Sequence, residues 1–225
     1  MAVFPTTRWS LIQARDRTQA EVGAAWSDLV RAYQPAILGY FRRSVLSRDA
    51  DDLAQEFMLR SMSEGWWSRA NPEVGSFRTF LLTLLNRFLA QHKDSGYRRF
   101  ELVGADAAEA RDYQTPEHYF DLQFALCLTR VALAELQKDY ESDGRGELFS
   151  ALQPWLVEPP ERGELVALGA RMQIPPNTLA VQLKRLRTRL QKAVHVALGE
   201  LNINKDHTAA DMDALRRSLV RQGAA

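Results

Sequence analysis

Apolar residues recur along this 225-residue chain at intervals of three and four almost throughout, the spacing that lays one stripe along an α-helix. Alternating Val/Ile/Thr runs bounded by turns, the mark of half-buried strands, are missing, so the expected fold class is all-α. The first amphipathic run extends from Val22 to about Tyr40. It turns Trp26, Leu29, Val30, Tyr33, Ile37 and Tyr40 inward, and Pro35 kinks or divides it. A second helix is expected over about Ala50–Trp66 and a third over about Phe77–His92. Between them lies WWSRANPEVGS, whose Asn-Pro and Gly mark a loop.

After the third helix the stretch KDSGYRRFELVGADAAEARDYQ is polar and without period, which reads as a linker between two helical domains. The expected division is a first domain over 1–100, a linker over 101–115, a second domain over 116–200 and a polar tail over 201–225. The second domain opens with a helix over about Pro116–Tyr140, broken by ESDGRG and followed by a short helix over Glu147–Leu156. Then ELVALGARMQIPPNTLAVQLKRLRTRLQKAVHVAL reads as helix, tight turn, long helix. One short amphipathic stretch, near Met212–Val220, interrupts the tail.

A chain with 46% hydrophobic residues has ample material for two cores. Cys127 is the lone cysteine, which excludes a disulfide framework and a cysteine-rich zinc site and points to a reducing compartment. The opening MAVFPTTRWSLIQAR lacks the basic start and long apolar run of a signal peptide, and no stretch reaches the roughly 20 apolar residues of a membrane span. A cytoplasmic protein without a membrane partner is therefore expected. The formal net charge of +1 argues against a simple polyanion binder unless acids and bases are sorted into separate patches.

They are sorted. In the second domain Leu179, Leu183, Leu186 and Leu190 share one stripe of the long helix, while Thr178, Val181, Gln182, Arg185, Arg189 and Lys192 gather on the opposite arc. No acidic residue occurs from Leu179 to Val194. Such a helix offers hydrogen-bonding groups for base edges near its start and cations for phosphates along its length, although a charge run alone also fits a solvated basic face. Pro175 replaces the usual Ser, Thr or Asp cap, with Pro176 expected at the first helical position. In the first domain Asp51, Asp52, Gln55, Glu56 and Arg60 fall with Asp49 on one arc of the second helix, opposite Leu53 and Phe57. Acids at a helix start complement its dipole, and the same carboxylates can dock a basic partner helix. Metal binding is disfavoured because no histidine accompanies them.

The residues DADDLAQEF, Asp49–Phe57, resemble the second conserved region of extracytoplasmic-function sigma factors. GSFRTFLLTLLNRFLAQH resembles the promoter-melting part of that region, and ELVALGARMQIPPNTLAVQLKRLRTRL is similar to the family's fourth region. TTRWSLI, TPEHYFDLQFALCLTRVALAELQKDYE and ELFSALQPWL resemble a longer subgroup with an extended linker. The resemblance implies two helical domains, a region 2 bundle and a region 4 helix-turn-helix, and a subunit that directs core RNA polymerase to promoter DNA. It implies polymerase contacts to the clamp helices of the largest subunit through Asp49, Asp51, Asp52, Gln55 and Glu56, and a second contact to the polymerase flap. Contacts to the −10 element are implied for Arg69, Asn71, Arg78, Thr83, Asn86 and Arg87, with Trp66 or Trp67 available to stack on an unpaired base. Contacts to the −35 element are implied for Thr178, Gln182, Lys184, Arg185, Arg189 and Lys192. Regulation in the family runs through an anti-sigma factor or, in some long-linker relatives, a Ser/Thr kinase whose phosphorylation completes the acidic set. Asp51 already supplies a carboxylate, so polymerase binding without phosphorylation is expected.

A stand-alone helix-turn-helix regulator is the competing reading, but it leaves DADDLAQEF without a role. An enzyme is disfavoured: His92, His118, His195 and His207 are scattered, and phosphate-binding glycine loops are absent. No catalytic residue, metal ligand or cofactor is assigned.

Overall fold

The computed structural model describes residues 18–44, 46–66, 75–100, 115–202 and 204–222, with the backbone alone at 19, 93–100 and 218–222. Among the described residues the chain is all-α: helices are joined by turns and no strand forms. The helices are α1 (Gln19–Ala32), α2 (Gln34–Arg42), α3 (Ala50–Ser63), α4 (Phe77–Phe100), α5 (Pro116–Ser142), α6 (Gly146–Leu152), α7 (Glu164–Met172), α8 (Pro176–Glu200) and α9 (Lys205–Gln222).

Local chemistry sets the boundaries. Thr18 and Glu21 close a capping box at the start of α1: the Glu21 N–H donates to Thr18 Oγ1 at 3.3 Å, and the Thr18 N–H donates to Glu21 Oε2 at 2.9 Å. Pro35 divides the first amphipathic run as expected, because it sits in the first turn of α2, where its missing N–H costs nothing. Pro176 begins α8, and the Pro175 carbonyl accepts the first helical bond from Leu179 at 3.1 Å.

Contacts divide the chain into two compact units, with boundaries inside α5 and near the end of α8. Residues 116–127 and 198–222, placed by sequence with the second domain and the tail, group with the first unit. The reason for the former is visible in the core. Phe124 stacks on Tyr33 with ring centres 4.4 Å apart, and Gly39 of α2 lets Tyr119 and Gln123 of α5 approach so closely that a Cβ there would lie 3.0 Å from each. Trp26, Tyr40, Phe41, Phe57, Phe77 and Phe88 fill the rest of this core, and the Trp26 indole N–H donates to buried Ser61 at 3.2 Å. Aromatic edges and faces meet here repeatedly, each such pair contributing about 0.5–1.5 kcal/mol beyond its buried area. The stretch read as a polar tail contains α9, whose Thr208, Asp211 and Leu215 are buried.

The second unit packs α6, α7 and α8 with the end of α5. Its core joins Leu136, Tyr140, Phe149, Leu152, Leu168, Leu179, Leu183 and Leu186, so the leucine stripe of the long helix is its buried face. Two backbone devices make the turn between α7 and α8. Gln173 takes the left-handed conformation at φ 56°, and the Gly169 carbonyl accepts from Ile174 N at 3.0 Å. A Cβ at Gly169 would lie 2.6 Å from the Ile174 carbonyl oxygen, so only glycine fits.

Candidate functional site

The acidic face belongs to α3. Leu53, Ala54 and Phe57 anchor its inner side, and this turns Asp49, Asp51, Asp52, Gln55 and Glu56 to the exposed side. The five residues stand along one surface but differ in engagement. Asp51 lies 3.3 Å from Arg42, and Glu56 lies 3.6 Å from Arg60 and 3.2 Å from His92 Nε2. Asp49 and Asp52 have no ion-pair partner among the described residues. Surface pairs of this kind contribute at most about 1 kcal/mol, so they leave the face negative and free to exchange partners. Leu59 and Met62 extend the same helix with exposed apolar side chains, 68% and 41% accessible.

The residues carried to the −10 element separate into three groups. Arg69, Asn71 and Trp67 lie outside the described residues. Thr83, Asn86 and Arg87 share the exposed side of α4, and Tyr40, a core residue, donates its phenol to Asn86 Oδ1 at 2.6 Å. That bond fixes the amide with its NH₂ available as a donor. Arg78 is different. Its side chain is 14% accessible and paired with Asp121 and Asp211, which engages its charge inside the unit. Trp66 belongs to the core, in contact with Phe57 and Phe88, with its indole N–H on Glu64 at 3.0 Å; it is not free to stack on a base. Trp66, Phe88 and Arg60 instead line a small cleft beside Arg87 and Gln91.

In the second unit α8 exposes Thr178, Lys184, Arg185 and Lys192, with Gln182 and Arg189 half-buried. Arg145 and Arg189 flank the Tyr140 ring, 5.0 and 4.9 Å from its centre. Arg145 Nη2 donates to Gln182 Oε1 at 2.9 Å, and Arg189 Nη2 reaches Asp139 at 3.5 Å. The Gln182 amide is thereby oriented, with its NH₂ left to donate. Arg187 points elsewhere, into the Trp155 carbonyl at 2.6 Å, a structural bond. Sequence reasoning missed two residues that position the candidate contacts, Arg145 and Tyr40. Arg145 sits in the ESDGRG break and reads as turn, Tyr40 reads as core, and no local signal ties either to Gln182 or Asn86.

Burial raises the phenol pKa of Tyr33 and Tyr40 above the ordinary value, with the charges of Cys127 and Glu117 respectively adding to the effect. Among the described residues no cluster of His, Cys, Asp and Glu has the makeup of a metal site, and no helix is long and apolar enough to cross a membrane.

Residues 29–98 match the family described as Sigma-70 region 2. The matched stretch contains the whole acidic face of α3 and the Asn86 side of α4. No curated protein and no solved structure matches the chain.

Proposed function

We propose that this chain, which carries a sigma-70 region 2, is a sigma factor of the extracytoplasmic-function kind in a long-linker subgroup. It binds core RNA polymerase, recognises −10 and −35 promoter elements and initiates transcription of a particular set of genes in the bacterial cytoplasm. One observation supports this best: the exposed acidic side of α3 and the donor-bearing side of α4 lie in one matched domain, while a separate unit exposes a long helix face rich in cations. Docking and DNA contact thus have distinct surfaces of opposite charge, as a polymerase specificity subunit requires.

In this reading Asp49, Asp51, Asp52, Gln55 and Glu56 meet the clamp helices of the polymerase largest subunit. Leu59 and Met62 add apolar area beside them, and the second unit meets the flap. Thr83, Asn86 and Arg87, with Arg69 and Asn71, contact the melted −10 strand. Thr178, Gln182, Lys184, Arg185, Arg189 and Lys192 contact the −35 duplex. Phosphodiester chemistry belongs to the polymerase; this chain supplies recognition and strand-separation energy. No kinase is required in this reading, because Asp51 already supplies a carboxylate at that position.

Replacing Asp52 and Glu56 together with lysine tests the docking assignment. Both side chains are exposed, so cooperative unfolding should be retained, and co-purification with core polymerase should be lost. Undiminished association would remove α3 as the docking surface. A stand-alone regulator, by contrast, binds duplex DNA tightly without polymerase and is indifferent to this pair.

A further inference from the structure

The segment after α8 folds back onto the start of α4 in the first unit and closes it with a carboxylate. Asp211 of α9 is 3% exposed. Its Oδ1 lies 3.2 Å from Ser76 Oγ and 3.4 Å from Arg78 Nη1, and its Oδ2 accepts from Asn202 Nδ2 at 3.2 Å. Asn202 Oδ1 in turn accepts the Phe77 N–H at 3.4 Å. A guanidinium, a hydroxyl and the amides at a helix start are the groups that bind a phosphate oxygen. Here an internal carboxylate holds the guanidinium and the hydroxyl, while the Asn202 side-chain oxygen takes the Phe77 N–H.

We propose that α9 is an autoinhibitory latch: Asp211 occupies the phosphate-binding end of α4, and α9 must leave before a promoter strand is seated there. The proposal rests on reading α4 as the −10 helix. The geometry supports release without rebuilding. Asp121 grips the other two nitrogens of Arg78, Oδ1 to Nε at 2.8 Å and Oδ2 to Nη2 at 2.6 Å, so departure of Asp211 frees Nη1 while the guanidinium stays aimed and Ser76 Oγ stays on Thr79. It also removes the surplus negative charge that two carboxylates around one arginine place in the path of a phosphate. Among the described side chains of α9 the buried positions are Thr208, Asp211 and Leu215, and most of the others face solvent. The Asp211 contacts to Ser76 and Arg78 are the kind that another anion replaces most directly.

The test uses the full-length chain and a fluorescein-labelled mixed-sequence single-stranded DNA, with binding followed by anisotropy across salt concentrations. Asp211→Asn and Asp211→Ala should bind about tenfold more tightly than the unsubstituted chain, with a salt slope steeper by about 0.7 for the phosphate gained. Folded variants that bind no more tightly than the unsubstituted chain overturn the latch. Hydrogen exchange on the unsubstituted chain needs no variant: saturating DNA should cost the α9 amides their protection, and amides that stay protected overturn it independently. Asn86→Ala with Arg87→Ala separates the two levels. If this pair weakens binding while the Asp211 variants do not tighten it, the latch fails and the α4 reading stands. If the pair leaves binding unchanged, the reading of α4 fails and the latch with it.

Discussion

Gly169→Ala sets two opposite effects of one methyl group against each other. Alanine in a helix interior is favoured over glycine by about 1 kcal/mol, so an unobstructed α7 would gain stability. The site is obstructed, because the new Cβ would lie 2.6 Å from the Ile174 carbonyl oxygen and 3.4 Å from the Pro176 ring. The oxygen belongs to a backbone segment already tied by the Ile174 N–H to the Gly169 carbonyl at 3.0 Å. The prolines that follow, Pro175 and Pro176, have φ fixed near −65° and cannot swing it away. Overpacking of this kind costs about 1–3 kcal/mol, and a rigid backbone obstacle belongs at the upper end, so the net expectation is a loss of about 1–2 kcal/mol. Gly199→Ala in α8 is the control: no heavy atom lies within 4 Å of its Cβ position, so only the propensity remains and stability should rise by up to about 1 kcal/mol. Two compact units make a single global unfolding curve ambiguous. Amide exchange in α7 and α8 is the appropriate assay for the first variant and exchange at the end of α8 for the second. A Gly169→Ala chain as protected as the parent, or more so, refutes the reasoning.

Arg185→Ala should weaken −35 binding by holoenzyme by about 1–3 kcal/mol if the side chain reads a base, less if it touches phosphate; its exposed position predicts a stability change within about 0.5 kcal/mol, and unchanged promoter footprinting would strike it from the interface. Gln173→Gly should stabilise the second unit by about 1 kcal/mol by relieving a left-handed residue at φ 56°, read as slower amide exchange around the turn. Burial keeps the Tyr33 phenol protonated to a higher pH than in the unfolded chain. The resulting stability is present below about pH 10 and lost as pH rises toward the folded-state value. Urea unfolding of Tyr33→Phe should show a shallower alkaline decline than the parent, and identical slopes above pH 10 would contradict this account.

The features legible from sequence are those that repeat with the helix. The Trp26 to Tyr40 stripe, the leucines of α8 and the acidic arc of α3 all lie on the faces that their spacing indicates, because a turn of 3.6 residues is set by the backbone itself. Punctuation was legible for the same local reason: Pro35 and Pro176 act at the first turns of α2 and α8. The Gln173 turn was not. A glutamine at positive φ carries no turn signal, and its partner, Gly169, reads as a weak spot in α7 until the Ile174 carbonyl is placed beside it.

What sequence cannot show is how a charge is spent. Arg78 and Arg87 stand in one helix and both look like phosphate contacts, yet Arg87 is exposed while Arg78 is held by Asp121 and Asp211, the latter 133 residues away. Nothing local distinguishes them. The same blindness applies to α9, whose described buried positions include an aspartate, so apart from the amphipathic stretch near Met212–Val220 it reads as a polar tail. A buried carboxylate needs a partner, since removing one side of such a pair leaves an uncompensated charge costing about 3–5 kcal/mol. Asp211 therefore specifies where α9 docks, as an apolar stripe would, but through a partner that periodicity cannot locate. The electrostatics that sort this chain into an acidic face and a basic one also fold its C-terminal segment onto α4, and that places the proposed latch at the helix proposed to contact the melted strand.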